Sequence, residues 1–216
     1  DLFADYYYLD IDERTRFAQV SHEYLIEQVQ REKEIPLQSS IKVNFTHPVK
    51  ELIWVVQDAT IATENITQPS NTTNLDATQN TLSSLSNKND FFNYSPLQTR
   101  DSERYNGIQI YEHFSTCKIQ FNTIDRILAR KASYFRYCQP LMAKHRIPEK
   151  HIYSYSFSLD PGEYLPSGTC NFSRIKKVDL LFTTEKASFE GNITIYALNY
   201  NVLRIDSGMA GLMYSN

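Results

Sequence analysis

Three features of the sequence predict an all-β fold, an eight-stranded jelly-roll β-sandwich with long surface loops and one or two short helices. Apolar and polar residues alternate with period 2 along much of the chain, the mark of half-buried strands. Tyr and Phe are abundant, 15 and 12 of 216 residues, and both favour pleated surfaces. A sustained 3.6-residue stripe is missing throughout. Many short strands with long connections describe a sandwich, and about eight of them suggest a jelly roll.

Taken in order, the strand candidates begin with "YYYLD" and "EYLIEQVQ". In "IKVNF", Ile41, Val43 and Phe45 share one face. "ELIWVVQ" is apolar on both faces, as a central strand is when both its sides are covered. "GIQIYEHF" and "CKIQFN" follow. In "IYSYSFSL", Tyr153, Tyr155, Phe157 and Leu159 fall on one face and Ser154, Ser156 and Ser158 on the other. "KKVDLLFTT" and "NITIYALNYNVLRI" complete the series. Helical turns are expected within "DERTRFAQVSHEYL" (12–25) and "DRILARKASYFRYC" (125–138).

Residues 58–104 differ in kind, being rich in Asn, Thr and Ser and poor in apolar residues. The segment reads as a long surface loop between strands, and loops of that length are usually functional or mobile. A linker between two domains is the alternative reading.

The composition, 41% hydrophobic and 22% charged, is that of a soluble globular protein. A net charge of -3 argues against coating nucleic acid, which needs many Lys and Arg phosphate contacts. Only six glycines are present, so no Gly-rich phosphate cradle is expected. Cys117, Cys138 and Cys170 are odd in number, far apart and without a CxxC pair. They read as reduced, mostly buried thiols of a protein that folds in a reducing compartment. No apolar run approaches the roughly 20 residues of a membrane span. The opening "DLFADYYYLD" reads like a strand entered midway, which suggests a chain that starts inside a longer polypeptide.

Candidate chemistry is sparse. His22, His47, His113, His145 and His151 form neither His-x-His nor H-E-x-x-H, so no metal site is expected. Cys138 with His145 or His151 would be a nucleophile pair, but no local signature surrounds it. Ser207 in "DSGMAG" reads as a turn, and Asp10 with Asp12 as a solvated turn. Arg126, Arg130, Lys131, Arg136, Lys144, Arg146 and Lys150 interleave with Tyr134, Phe135 and Tyr137. They suit either a polyanion contact or a solvated, subunit-facing surface, and the offsetting acids elsewhere favour the second. N-x-S/T sequons occur at Asn44, Asn65, Asn71, Asn93, Asn171 and Asn192. Only Asn65 and Asn71, in the long loop, are placed to accept a glycan, and then only along a secretory route. Last, "PSGTCNFSRI" (166–175) packs a turn, a cysteine, a sequon and an arginine between two strands. Taken alone it reads as a reactive loop, a glycan site or a piece of architecture.

Several stretches resemble one family, the major capsid proteins of nucleocytoplasmic large DNA viruses (iridovirus-, phycodnavirus- and mimivirus-like). They are "DERTRFAQVSHEYLIEQVQ", "VNFTHPVKELIWVVQD", "YFRYCQP", "IPEKHIYSYSFSLDPGEYLPSGTCNFSRI" and "ITIYALNYNVLRIDSGMAGLMYSN". They are collinear and cover most of the chain outside 58–104. The resemblance implies a double jelly roll, three copies of which form a pseudo-hexagonal capsomer that tiles an icosahedral shell. It implies that residues 20–216 are the C-terminal jelly roll and that 1–19 are the end of the preceding one with its connector. It implies a structural protein of the virion, assembled in the host cytoplasm, with no catalysis, cofactor or metal. The implied partners are two further copies in a homotrimer, neighbouring capsomers and minor capsid proteins, with no direct nucleic acid contact. The family's Phe-Asn-Gly-x-Asp-Arg-Phe stretch appears as "FNTIDRI" (121–127), with Thr123 at the turn Gly and Ile127 at the last aromatic. "PSGTCNFSRI" is then implied to be architecture. Pro166 and Gly168 shape a turn, Phe172 anchors it in the core, and Arg174 pairs with a carboxylate or carbonyl. The second reading is a β-sandwich binding module that recognises a host glycan or receptor through the Asn/Thr-rich loop.

Overall fold

The computed structural model describes residues 2–58, 94, 112–184 and 191–215, without the side chains at 33, 34 and 58. Helix α1 (Ile11–Gln19) precedes β1 (His22–Pro36), β2 (Ser40–Val43), β3 (Pro48–Asp58), β4 (Thr116–Phe121) and β5 (Ile124–Lys131). A π-helical turn (Tyr134–Cys138) runs into α2 (Gln139–Met142). Then come β6 (Ile152–Ser156), β7 (Cys170–Asn171), a 3₁₀ turn (Phe172–Arg174), β8 (Val178–Thr183), β9 (Gly191–Asp206) and β10 (Met209–Leu212).

The pairings nest. β4 pairs with β5, β3 with β6, β2 with β8 and β1 with β9, all antiparallel. That is one long hairpin folded about the β4–β5 turn. Two further pairings roll it up, β9 with β3 and β8 with β4. The result is two sheets with strand paths β1–β9–β3–β6 and β2–β8–β4–β5, while short β7 and β10 join the first sheet at β3 and β9. This is the jelly roll that the alternation predicts.

Alternation also fills the core. Ile41 and Val43 from β2, Leu52, Trp54 and Val56 from β3, Cys117 and Ile119 from β4, and Tyr153 and Tyr155 from β6 belong to one buried cluster. Val178, Leu180 and Phe182 from β8 meet Ile193, Ile195 and Ala197 from β9 in it. In β3 the parity breaks, because Val49 opposes Asn199 whereas Glu51 opposes Leu198. Lys50 is therefore the extra residue of a β-bulge, and the inward set moves from Val49 to Leu52, Trp54 and Val56. The bulge places Lys50 and Glu51, 1% and 2% exposed, on the outer side of the sheet.

The β4–β5 turn explains why "DRILARK" is a strand where the sequence suggested helix. Phe121 pairs with Ile124, leaving a two-residue loop of Asn122 and Thr123. Both have positive φ, 50° and 73°, the requirement of a type I′ hairpin turn. Asn122 tolerates that region and is held on both sides, its N–H donating to Lys177 O at 2.9 Å and its Oδ1 accepting from Lys177 N at 3.1 Å. β-branched Thr123 does not tolerate it. Thr123→Gly is expected to stabilise the protein by about 1 kcal/mol, strain relief of ~1–3 kcal/mol set against extra chain entropy. Thermal unfolding checks this, as a rise in Tm.

Other expectations are corrected. "YYYLD" is not a strand, since residues 2–10 carry no regular structure and face solvent. An extended arm becomes a strand only when a neighbour satisfies its backbone, and no described strand pairs with it. Leu159 is 79% exposed, because the chain leaves the sheet after Ser156. The second helical segment begins only after Lys131, and the first ends at Gln19, giving way to β1. Of "GIQIYEHF", residues 107–111 lie outside the described residues, and Phe114 enters the core from a loop. Apart from Tyr94 and the last residue of β3, the loop expected over 58–104 also lies outside them.

Candidate functional site

Along the inward side of β9 the residues change character in one direction. Ile193, Ile195 and Ala197 are fully buried. Next come Asn199 and Asn201, then Leu203 and Ile205, which are half-buried. The two asparagines belong to a belt of amides that closes the end of the core. Asn199 donates to Thr46 O at 3.2 Å, and Asn201 Nδ2 donates to Gln28 Oε1 and to Tyr214 O, both at 2.9 Å. Gln30 donates to Thr46 Oγ1 at 2.8 Å and accepts from Thr46 N–H at 2.9 Å.

Beyond the belt, β1, β9 and β10 continue as a three-stranded ribbon. Their registers align Tyr24 with Leu203 and Leu212, and His22 with Ile205 and Ala210. Directly opposed residues share a face, so the core-facing side of the first sheet runs on as an apolar surface. It is open to solvent, with Tyr24 46% and Leu212 42% exposed. Phe17 of α1 reaches its end, stacking on His22 at 4.9 Å.

The segment leading into the ribbon is equally bare. Phe3 is 90% and Tyr8 94% exposed. Helix α1 is well started: Asp10 Oδ1 accepts from Glu13 N–H at 2.9 Å, and Asp12 and Glu13 complement the helix dipole. Asp10 and Asp12 thus begin a helix rather than forming the solvated turn expected of them. Yet α1 buries none of its residues. Nine residues are too few for a helix to be stable alone in water. An aromatic arm, an unpacked helix and an exposed sheet face thus follow one another at this end of the described residues.

The "PSGTCNFSRI" residues divide. Gly168 has φ of 140°, a region left to glycine, and a Cβ there would sit 3.1 Å from Phe157 O. Pro166 is exposed beside it. Phe172 is 2% exposed and packs edge-on against Phe157 at 5.5 Å and Phe121 at 5.8 Å, its N–H donating to His47 O at 3.0 Å. Arg174 faces solvent and has neither ion pair nor hydrogen bond among the described residues. Asn65 and Asn71 lie outside the described residues.

The basic run does not form one patch. Arg126, Arg130 and Lys131 line exposed β5. Arg136 is buried against Glu112 at 3.3 Å, and Lys144 pairs with Asp160 at 2.7 Å. Nor do Cys138 and its candidate histidines converge: Cys138 is exposed, whereas His145 turns to Glu51 at 3.1 Å and His151 packs on His113. Burial pushes the Glu51 carboxyl above the usual range, opposed by His145 and Lys50. A cleft of about 170 Å³ lies between them, lined by Glu51, Ile53, Pro140, His145, Ile152 and Ser154. Burial also pushes the Cys117 thiol well up, as expected of an inert core residue. Lys50 pairs with Glu27 and lies 5.3 Å from the Tyr200 ring, which explains how a lysine is accommodated with almost no exposure. Single residue types gave no hint of the ribbon face. Its sequence signal was the odd-position alternation of "NITIYALNYNVLRI" continuing past the two asparagines.

The fold is thus a jelly roll with an apolar extension open to solvent. The profile of the family described as large eukaryotic DNA virus major capsid protein matches residues 13–211. The chain belongs to that family. It is 38% identical over 274 residues to the major capsid protein of Phaeocystis pouchetii virus, covering all of this chain and 53% of that one. It is 36% identical over 249 residues to that of Paramecium bursaria Chlorella virus 1, covering all of this chain and 54% of the other. The chain spans about half the length of these curated relatives. Among solved structures, it matches the PBCV-1 virus capsid with a TM-score of 0.67 and 30% identity, over 97% of this chain and 55% of that one. The Faustovirus major capsid protein shares the fold, with a TM-score of 0.56 at 18% identity over 89% of this chain and 35% of the other.

Proposed function

We propose that this chain is the C-terminal jelly roll of a double-jelly-roll major capsid protein, residues 20–216 forming the module and 1–19 its link to the preceding one. Three copies of the whole protein form a pseudo-hexagonal capsomer, which meets neighbouring capsomers and minor capsid proteins in an icosahedral shell assembled in the host cytoplasm. The role is structural, without catalysis. One observation carries the reading beyond family membership: the core-facing side of the first sheet continues past the amide belt as an apolar face with its aromatic arm and α1 unpacked. Burying that face against another jelly roll is the driving force for assembly. Membership of a capsid protein family favours this reading over a glycan-binding module.

Light scattering of the full-length protein is expected to give the mass of a trimer; a stable monomer overturns the reading. The face itself is tested by Leu203→Glu combined with Leu212→Glu. The lost apolar burial alone amounts to about 4 kcal/mol, roughly a thousandfold in the association constant. Circular dichroism should show the sandwich intact while assembled particles disappear. Particles that persist would remove the assignment of this face.

A further inference from the structure

The cleft between the first sheet and the segment after α2 holds an incomplete set of polar partners. Glu51 and Ile53 of β3 and Ile152 and Ser154 of β6 form its floor, on the outer side of the sheet, and Pro140, His145 and Arg146 stand along its wall. The wall is fixed by its own backbone. Lys144 N–H donates to Leu141 O at 3.1 Å and His145 N–H to Pro140 O at 2.8 Å, with Lys144 at φ of 58°, the pattern that ends a helix through a left-handed residue. That turn carries the His145 ring over Glu51, with Nε2 lying 3.1 Å from Oε2. Glu51 Oε1 and the Ser154 hydroxyl, in residues 2% and 6% exposed, have no hydrogen-bond partner among the described residues. The Ser154 hydroxyl stands near enough to help lower the Glu51 pKa, without a bond of ordinary length and angle.

We propose that this cleft is a binding site for a primary ammonium group on a short aliphatic stem, the ammonium seated between Glu51 Oε1 and the Ser154 hydroxyl. A carboxylate only accepts, and it has room for about four donors, so what Glu51 lacks is a donor. A buried negative charge repels an anion and favours a cationic donor over a neutral one, because charge-assisted hydrogen bonds are the stronger. An ammonium carries three donors, enough for Glu51 and Ser154 together. Ile53, Ile152 and Pro140 present apolar walls to a space of about 170 Å³, which suits methylenes. Among the described residues no cation already fills this place. Lys50 is taken by Glu27, and Arg146 is exposed without an ion pair. Two sources carry the required group, a free alkylamine and a lysine side chain of another protein chain.

The test titrates pentylammonium chloride and pentan-1-ol, which share a stem, into full-length subunits at neutral pH, with saturation-transfer NMR reading both affinities. Pentylammonium should bind about ten- to a hundredfold tighter than the alcohol, the worth of a charge-assisted hydrogen bond. Glu51→Gln keeps the shape and removes the charge, and should erase that preference. Equal binding of amine and alcohol, no saturable binding of the amine, or an unchanged preference in E51Q overturns the proposal. Should E51Q not fold, Ser154→Ala decides, since it removes only a hydroxyl without a described hydrogen-bond partner. Amine binding should then weaken about fivefold, and an unchanged affinity counts against the site. A second titration, on assembled particles, separates the two sources. Exclusion of pentylammonium from particles assigns the cleft to a lysine of a neighbouring chain, and retained binding assigns it to a free amine. Only this arm rests on the capsid reading: particles that fail to form tell against that reading, while the subunit titration still decides the site.

Discussion

Replacing Trp54 with alanine is expected to cost about 3–5 kcal/mol, a large part of the ~5–15 kcal/mol that holds an ordinary domain folded. The ring is fully buried in β3, opposite Tyr153 on β6 and Ile195 on β9. It lies 5.3 Å from Phe135, so it also joins the sheet to the helical turn after β5. Alanine would leave a cavity walled by elements pinned through their own backbone ladders, which cannot collapse to fill it. Trp54→Phe should behave differently. The indole Nε1 has no hydrogen-bond partner among the described residues, so losing it breaks none of the described bonds, and the cost falls to about 1–2 kcal/mol of lost packing. Urea unfolding of the two variants separates these cases. With a slope of about 2 kcal/mol per molar, alanine shifts the midpoint by roughly 2 M and phenylalanine by about 0.5–1 M. Equal shifts would mean that the indole N–H matters more than the volume.

Most of the sandwich was legible because one face of each strand is buried and the other is not. Where both conditions hold, as in "IKVNF" or "KKVDLLFTT", alternation alone identifies strand and face. It fails where the chain uses a different device. β5 is exposed along nearly its whole length, so no apolar stripe betrays it. Only the positive-φ pair Asn122 and Thr123 turns the chain back, and Thr123 disguises the turn by standing where glycine is favoured. The bulge at Lys50 hides in the same way, since two adjacent charged residues in a strand usually signal solvent, whereas here both are buried and paired. The candidate face was less legible still. Its residues are ordinary strand residues, and it becomes visible only when the β1–β9–β10 register shows them aligned beyond the point where the opposite sheet ends. Buried polar contacts are not legible either: Glu112 accepts from both Arg136 and Tyr153, which no spacing rule connects.

The segment "PSGTCNFSRI" gives the second large effect, and it separates two roles that its sequence leaves side by side. Phe172→Ala is expected to cost about 3–5 kcal/mol. Its ring fills a corner between Phe121, at the end of β4, and Phe157, just past β6, and so ties the two sheets together where β3 and β7 meet. Its backbone N–H is already spent on His47 O, and His47 itself sits at φ of 68°, so the local chain has little freedom to close the gap. Arg174→Ala, two residues along, should fall within about 0.5 kcal/mol of the parent, because an exposed arginine without an ion pair or hydrogen bond among the described residues contributes almost nothing to stability. Unfolding curves for the two variants decide whether the stretch acts through its buried ring or its charge. A large Arg174 effect that appears only in assembled particles, and vanishes in dissociated subunits, would place that guanidinium at a contact between copies.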